Sequence, residues 1–382
     1  MNILLVCESY FPDFGGVQSL VKDLAKELAL KGNKVTIVAG NLLHDGKLLN
    51  NYEVIDGIEI YRFNFIPIWS FSLTSLKNFI FIGLKNLIRL INLIKKIKPD
   101  VVNAHVIGGS AFYVLTSKIL LKYPLVSTVH GSDVRVFPHS LWFHKKMIPI
   151  ALKHSDVITS SSEDLLRHLT RLVPDLKVKC ITTHNGVNLR VFEDSEPFKN
   201  DNLYLFSMGR FVEEKGFDVL LPAFKRVSGE FPDIQLLIAG DGPQKERLMK
   251  IAESLDLAGN VKFLGAQERE NIVALLRGCE FFVLPSRRES FPVSILESMA
   301  TRKTLVATTV GGIPEIVVNN VNGLLVEPEN EVALANAIIR LLKDKALKEK
   351  LELNSKTTIK AYDIGNVCEK YLSVYESVLH KD

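Results

Sequence analysis

This 382-residue chain carries 47 lysines and arginines against 43 aspartates and glutamates, for a net charge of +4, and 47% of its residues are hydrophobic. A chain of that length predicts two domains, and the composition excludes disordered, collagen-like and coiled-coil classes. Cys7, Cys180, Cys279 and Cys368 lie far apart, which points to a reducing cytoplasm rather than a disulfide framework, and no Cys/His cluster has zinc-ligand spacing.

The charge is unevenly spread. Residues 1–195 hold 23 basic and 16 acidic side chains, whereas residues 196–382 hold 24 and 27. No acidic residue interrupts Arg62, Lys77, Lys85, Arg89, Lys95, Lys96 and Lys98, and only Arg135, Lys145, Lys146 and Lys153 are charged between Asp133 and Asp156. The first half is therefore expected to present a basic surface to an anionic partner. Met1–Glu8 has no basic leader or cleavage site, so no signal peptide is expected. The longest apolar stretch, Phe79 to Ile97, is broken by Lys85, Arg89, Lys95 and Lys96, and no membrane-spanning helix is expected.

In chain order, a buried-strand run at Ile3–Cys7 leads to a helix over Val17–Leu30, then to strands at Lys34–Ala39 and Ile58–Phe63. A helix over Leu76–Ile97 ends at Pro99, and strands follow at Asp100–Ala104, Leu125–His130 and Val157–Ser160. The rhythm restarts with strand Tyr204–Met208, helix Phe217–Gly229, strand Gln235–Ala239 and helix Gln244–Leu255. Strands at Val261–Leu264, Phe281–Pro285 and Thr304–Thr308 continue it. Apolar strands alternating with helices predict an α/β fold of two Rossmann-like, doubly wound domains facing a central cleft. The expected boundaries are residues 1–190, an aperiodic linker over 191–202, residues 203–364, and a terminal helical segment over 365–382. Ligands of such sheets bind beyond the carboxyl ends of the strands.

Four constellations follow strands. Arg210 and Lys215, in Gly209-Arg210-Phe211-Val212-Glu213-Glu214-Lys215-Gly216, put two cations on one strand-to-helix loop, as a diphosphate requires; a solvated loop paired to Glu213 and Glu214 is the plain alternative. Glu289 precedes a helix that Pro292 can open at its first position, and Glu297 lies inside it, so both carboxylates fall on roughly one face. The N–H groups of Val293 and Ser294 would bind an anion at that helix start, and the carboxylates would accept hydrogen bonds from sugar hydroxyls. Gly15-Gly16 after the first strand permits close backbone approach, although the Gly-x-Gly-x-x-Gly fingerprint is absent. His130 and Asp133, in His130-Gly131-Ser132-Asp133, end a strand and are placed for hydroxyl contacts; a satisfied core histidine is the alternative. His105, His139, His144, His154, His168 and His184 read as structural or surface residues. Asp-x-Asp, the pattern of a metal-bridged diphosphate, occurs nowhere, and no nucleic-acid partner is expected.

Together these motifs resemble the large retaining glycosyltransferase family called group 1, or family 4, with the GT-B fold. The resemblance also takes in Asn185-Gly186-Val187, Gly240-Asp241-Gly242-Pro243 and Asn322-Gly323-Leu324-Leu325-Val326, and so covers nearly the whole chain. It implies a metal-independent transferase that uses a UDP- or GDP-linked sugar and no cofactor. Arg210 and Lys215 would grip the diphosphate, Glu289 the sugar and Glu297 the ribose, while Gly15, Gly16 and His130 close over the donor. The acceptor, a sugar or a lipid-linked molecule of cell-envelope polysaccharide or glycolipid assembly, would bind mainly to the N-terminal domain. The expected setting is cytoplasmic; the stripe Lys85, Arg89, Asn92 and Lys96 reads either as the water-facing side of a helix packed on the sheet or, with Arg135, Lys145 and Lys146, as a peripheral contact with an anionic membrane that would suit a lipid-linked acceptor. Pro222 departs from the family's usual acidic residue and is expected to kink its helix. A nucleotide-sugar epimerase and a non-catalytic nucleotide-binding protein are the competing readings.

Overall fold

Strands buried on both faces must be apolar at every position, and the runs picked out by that pattern form two sheets. The structure, a computed structural model, describes residues 1–12, 15–41, 48–65, 79–105, 107–137, 142–193 and 195–380. It divides into two units, Met1–Asn185 with Ile364–Asp382, and Gly186–Asp363.

The first unit contains β1 (Asn2–Cys7), α1 (Gly16–Leu30), β2 (Lys34–Gly40), β3 (Tyr52–Ile55), β4 (Ile58–Phe63), α2 (Leu84–Ile97) and β5 (Val101–His105). There follow α3 (Ala111–Leu121), β6 (Leu125–Val129), α4 (Ser132–Arg135), α5 (Trp142–Lys153), β7 (Val157–Ser160), α6 (Glu163–Leu172) and β8 (Lys179–Thr182). Its sheet runs β3-β4-β2-β1-β5-β6-β7-β8, parallel except for the β3–β4 hairpin. Alternate residues of β1 serve opposite faces: Leu4 and Val6 join the core with α2 and α3, and Ile3, Leu5 and Cys7 the core with α1.

The second unit contains β9 (Tyr204–Met208), α7 (Phe217–Glu230), β10 (Gln235–Ala239), α8 (Lys245–Ser254), β11 (Val261–Gly265), α9 (Arg269–Gly278) and β12 (Phe282–Leu284). There follow α10 (Val293–Ala300), β13 (Leu305–Thr308), α11 (Ile313–Ile316), β14 (Leu324–Val326), α12 (Glu331–Lys343) and α13 (Lys345–Thr358). The all-parallel order β11-β10-β9-β12-β13-β14 is the doubly wound Rossmann order, with its switch point between β9 and β12. The chain then returns as α14 (Ile364–Leu379), whose Val367, Cys368, Tyr371 and Tyr375 join the α1-side core of the first unit.

Several expectations need correction. The stretch expected as a linker packs into the second unit: Phe192 is buried in its core, and the Phe198 N–H donates to the Ala274 carbonyl. α7 continues past Pro222 without ending there, its face of Phe217, Leu220, Leu221 and Phe224 buried on the sheet. The helix expected from Leu76 begins, among the described residues, as a π-helical turn at Phe79–Gly83 before α2; residues 76–78 lie outside the description. The edge strands β3 and β8 were not foreseen.

The basic face is also thinner than the residue count implied. Arg62 is wholly buried, its Nε donating to Glu53 at 2.7 Å. Arg135 is ion-paired to Asp164. Arg89 donates to the carbonyls of Arg62 and Asn51 and lies over the Phe63 ring. Lys85, Lys96, Lys145 and Lys146 remain exposed.

Candidate active site

In the second unit the loops flanking the switch point are locked together. Gly216, which caps α7 at φ 66°, lies where a Cβ would come within 2.1 Å of the Pro285 carbonyl, so only glycine fits. The Arg287 N–H donates to the Glu214 carbonyl at 2.8 Å, and its guanidinium binds the Glu213 carbonyl, Asp218 and Glu329. Burial pushes the Asp218 carboxyl up, but the Arg287 guanidinium more than offsets this and holds it below its usual range. Arg287 was not singled out from sequence. It ties the loop after β9 to the loop after β12.

That tie brings Lys215 and Glu289 together. Lys215 Nζ donates to Glu289 Oε1 at 2.6 Å, and Ser286 Oγ donates to the same oxygen at 2.8 Å. Glu289 is 9% exposed. Its Oε2 takes no hydrogen bond from the described residues, and so remains the acceptor available to a ligand hydroxyl. Gly311, at φ 56°, packs against the main chain of Glu289: a Cβ there would sit 1.8 Å from the Glu289 carbonyl oxygen. Arg210 is exposed and has no ion pair among the described residues. Its loop is braced by the Phe211 N–H donating to Asp241 and the Gln244 N–H donating to Phe211.

Pro292 is the N-cap of α10, not its first residue: its ψ of 114° is extended, and the helix starts at Val293. Val293 and Ser294 therefore occupy the first two helical positions, whose N–H groups have no partner within a helix. Glu297, half-buried, lies a turn further on. Lys215 and a half-satisfied carboxylate thus meet beside the β9/β12 switch point, with the exposed Arg210 on the loop after β9 and an open helix start four residues beyond Glu289.

The corresponding point in the first unit, between β1 and β5, is already filled. Glu8, directly after β1, accepts the N–H groups of Gly108 at 3.1 Å and Ser110 at 2.5 Å, and burial pushes its carboxyl above the usual range. A carboxylate in that backbone cradle competes with any bound phosphate. Gly15 and Gly16 are exposed at the start of α1, where Gly15 is the N-cap and no acidic residue occupies the first turn.

His130, one residue beyond β6, is 7% exposed. Asp133 does not reach for hydroxyls as expected. It is fully buried, and its carboxylate accepts the N–H groups of His130 at 3.1 Å and Gly131 at 2.8 Å. Burial pushes it up to about 6 against those hydrogen bonds. His105, at the end of β5, is not an isolated structural residue: its Nδ1 is 3.1 Å from His130 Nε2. Burial lowers His130 to about 4, an effect Asn185 only partly opposes, and puts His105 well below the usual imidazole range. Neighbouring strand ends could have revealed this pair, since β5 and β6 are adjacent parallel strands.

No group of three or more His, Cys, Asp or Glu among the described residues is placed to hold a metal, and none of their helices is long and apolar enough to cross a membrane.

The family model described as glycosyl transferases group 1 matches residues 190–358, and that of glycosyltransferase family 4 matches residues 14–191. The N-acetyl-alpha-D-glucosaminyl L-malate synthase of Bacillus anthracis is 24% identical over 97% of this chain and 96% of its own. The phosphatidyl-myo-inositol mannosyltransferase of Mycolicibacterium smegmatis is 26% identical over 99% of this chain and 94% of its own. In fold, the chain is similar to the sucrose-phosphate synthase of Thermosynechococcus elongatus, with a TM-score of 0.80 at 19% identity over 100% of both chains.

Proposed function

This chain belongs to the group 1 glycosyltransferases, enzymes that take their sugar from a nucleotide, and from that premise we propose that it transfers the sugar with retention and without a metal ion. The observation that carries this reading is the Lys215–Glu289 pair beside the open Arg210 and the start of α10. A UDP or GDP leaving group develops negative charge as its bond to the anomeric carbon breaks. Arg210, Lys215 and the α10 dipole offset that charge in place of a metal. The acceptor oxygen bonds to the same face of that carbon, and its proton passes to the departing phosphate oxygen. Glu289 Oε2 holds a sugar hydroxyl and Glu297 the ribose, and His130 is the first unit's candidate for a hydroxyl contact.

Turnover should persist undiminished in EDTA, because Arg210 and Lys215 already supply the two cations a diphosphate needs. The check is product formation before and after chelation. Activity that collapses and returns with manganese or magnesium would overturn the metal-free reading.

We further propose a lipid-linked acceptor reached at an anionic membrane surface. α2 and the turn before it expose Phe81 (73%), Leu84 and Ile88 (59%) next to Lys85, Asn92 and Lys96. That combination of apolar and cationic side chains suits an interface between headgroups and acyl chains. Of these, Phe81, Lys85, Ile88 and Asn92 border an open groove of about 780 Å³ that also touches Asn41 and Asn64, just beyond β2 and β4. The mycolicibacterial relative, by its name, acts on a phosphatidyl lipid. Each lysine at such a surface contributes about 1 kcal/mol, so Lys85→Gln with Lys96→Gln should weaken binding to anionic vesicles about thirtyfold. Co-sedimentation with phosphatidylglycerol and phosphatidylcholine vesicles at low salt reads this out. Equal indifference to both lipids excludes the membrane reading.

A further inference from the structure

We propose that His105 is a positioning residue for His130, fixing both its ring orientation and which of its nitrogens carries the proton. The inference deepens the reading of His130 as a hydroxyl-binding group and rests on it for its catalytic consequence.

Two anchors hold His130. The Asp133 carboxylate takes its backbone N–H, and the His105 ring takes its side chain, with Nδ1 of His105 and Nε2 of His130 3.1 Å apart. The two rings stack at 5.3 Å between centroids and 20° between planes. His105 is fully buried and is itself backed by the Tyr371 ring of α14, 5.9 Å away. The neighbouring Tyr375 hydroxyl donates to Asn103, two residues before His105 on β5, at 2.7 Å. The pair is thus seated on packed strands and a helix rather than on a loop.

A neutral imidazole has one N–H and one lone pair. Burial keeps both rings neutral at physiological pH, so the shared contact needs a donor on one ring and an acceptor on the other. Whichever ring donates, the tautomers of the two rings are coupled, with the Asn185 side chain a second polar group against His130. The remaining nitrogens, His130 Nδ1 and His105 Nε2, are buried without a hydrogen-bond partner. One of these ends therefore presents a proton and the other a lone pair. A ligand hydroxyl that displaced the cover of His130 Nδ1 would meet a group whose polarity is coupled to the His105 ring, 3.1 Å away on the other nitrogen. Position and hydrogen-bond direction together explain why an imidazole, and not merely an apolar ring, stands at position 105.

The test compares His105→Phe, which keeps an aromatic ring and loses Nδ1, with His105→Asn, whose amide replaces a polar atom near the Nδ1 position. Nitrogen-15 spectra of histidine-labelled protein report the His130 tautomer without reference to activity. Wild type should show a single tautomer at His130, His105→Phe a mixture, and His105→Asn a return toward one form. Turnover should fall about tenfold to a hundredfold in His105→Phe, with the donor KM little changed, and recover in part in His105→Asn. Thermal melts show whether His105→Phe folds, and His105→Leu takes its place if it does not. A single, unchanged His130 tautomer with near wild-type turnover in the folded His105→Phe or His105→Leu variant overturns the proposal. If His130→Ala keeps full turnover, the catalytic assignment of His130 falls instead, while the tautomer spectra still decide what His105 does.

Discussion

Lys215→Ala should lower sugar transfer by about 2–4 kcal/mol in the transition state, roughly 30- to 1,000-fold, with the fold retained. The lysine has two functions. Its ammonium neutralises the departing diphosphate, and it holds Glu289 at 2.6 Å. It is 24% exposed and packs no core, so the loss should appear in turnover rather than in stability. Arg210→Ala should follow the same pattern, since that guanidinium is exposed and unpaired among the described residues. Steady-state kinetics with a thermal melt checks both. Near wild-type turnover in either variant removes that residue from the diphosphate site.

Glu289→Ala should be the next largest loss, about a hundredfold in turnover, because a charged hydrogen bond to a sugar hydroxyl is worth about 1.5–3 kcal/mol. Glu297→Ala should cost less, about tenfold, mainly in donor KM, because a ribose contact is shared by ground and transition states. The Lys215–Glu289 geometry adds a condition. Each single variant already breaks the ion pair, so combining Lys215→Ala with Glu289→Ala should cost less than the sum of the separate losses. Strict additivity would show that the pair does not act as a unit. A silent Glu289→Ala would remove the carboxylate from the site.

The sequence was most legible where burial is complete. β1, β5, β6, β9 and β10 are buried on both faces or nearly so, and unbroken apolar runs mark such strands. β3 and β8 sit at the two edges of their sheet, where Tyr52 and Lys179 face water, and their short, mixed runs carry no such signal. The Asp56-Gly57 turn, with both residues at positive φ, was the cue that could have exposed the β3–β4 hairpin. At the site, the individual loops could be read because each follows a strand. Their mutual contacts could not. Lys215 and Glu289 are separated by 74 residues, and their meeting depends on β9 and β12 lying side by side at the switch point. Asp133 was misplaced for a local reason: a short acidic side chain after a glycine turn satisfies its own backbone before it can reach a ligand. Charge counting overstated the basic face because an arginine can be buried on carbonyls and a carboxylate, as Arg62 is, or tied down half-buried on carbonyls, as Arg89 is, while a run of sequence records only its sign.

The central claim is that the second unit binds a nucleoside diphosphate through Arg210 and Lys215 without a metal. Titration calorimetry of UDP and of GDP into the protein in EDTA tests it most directly. One of the two nucleotides should bind to wild type, and the Arg210→Ala, Lys215→Ala double variant should lose that binding while melting at the wild-type temperature. Binding that requires added manganese or magnesium, or that survives the double substitution unchanged, would contradict the account.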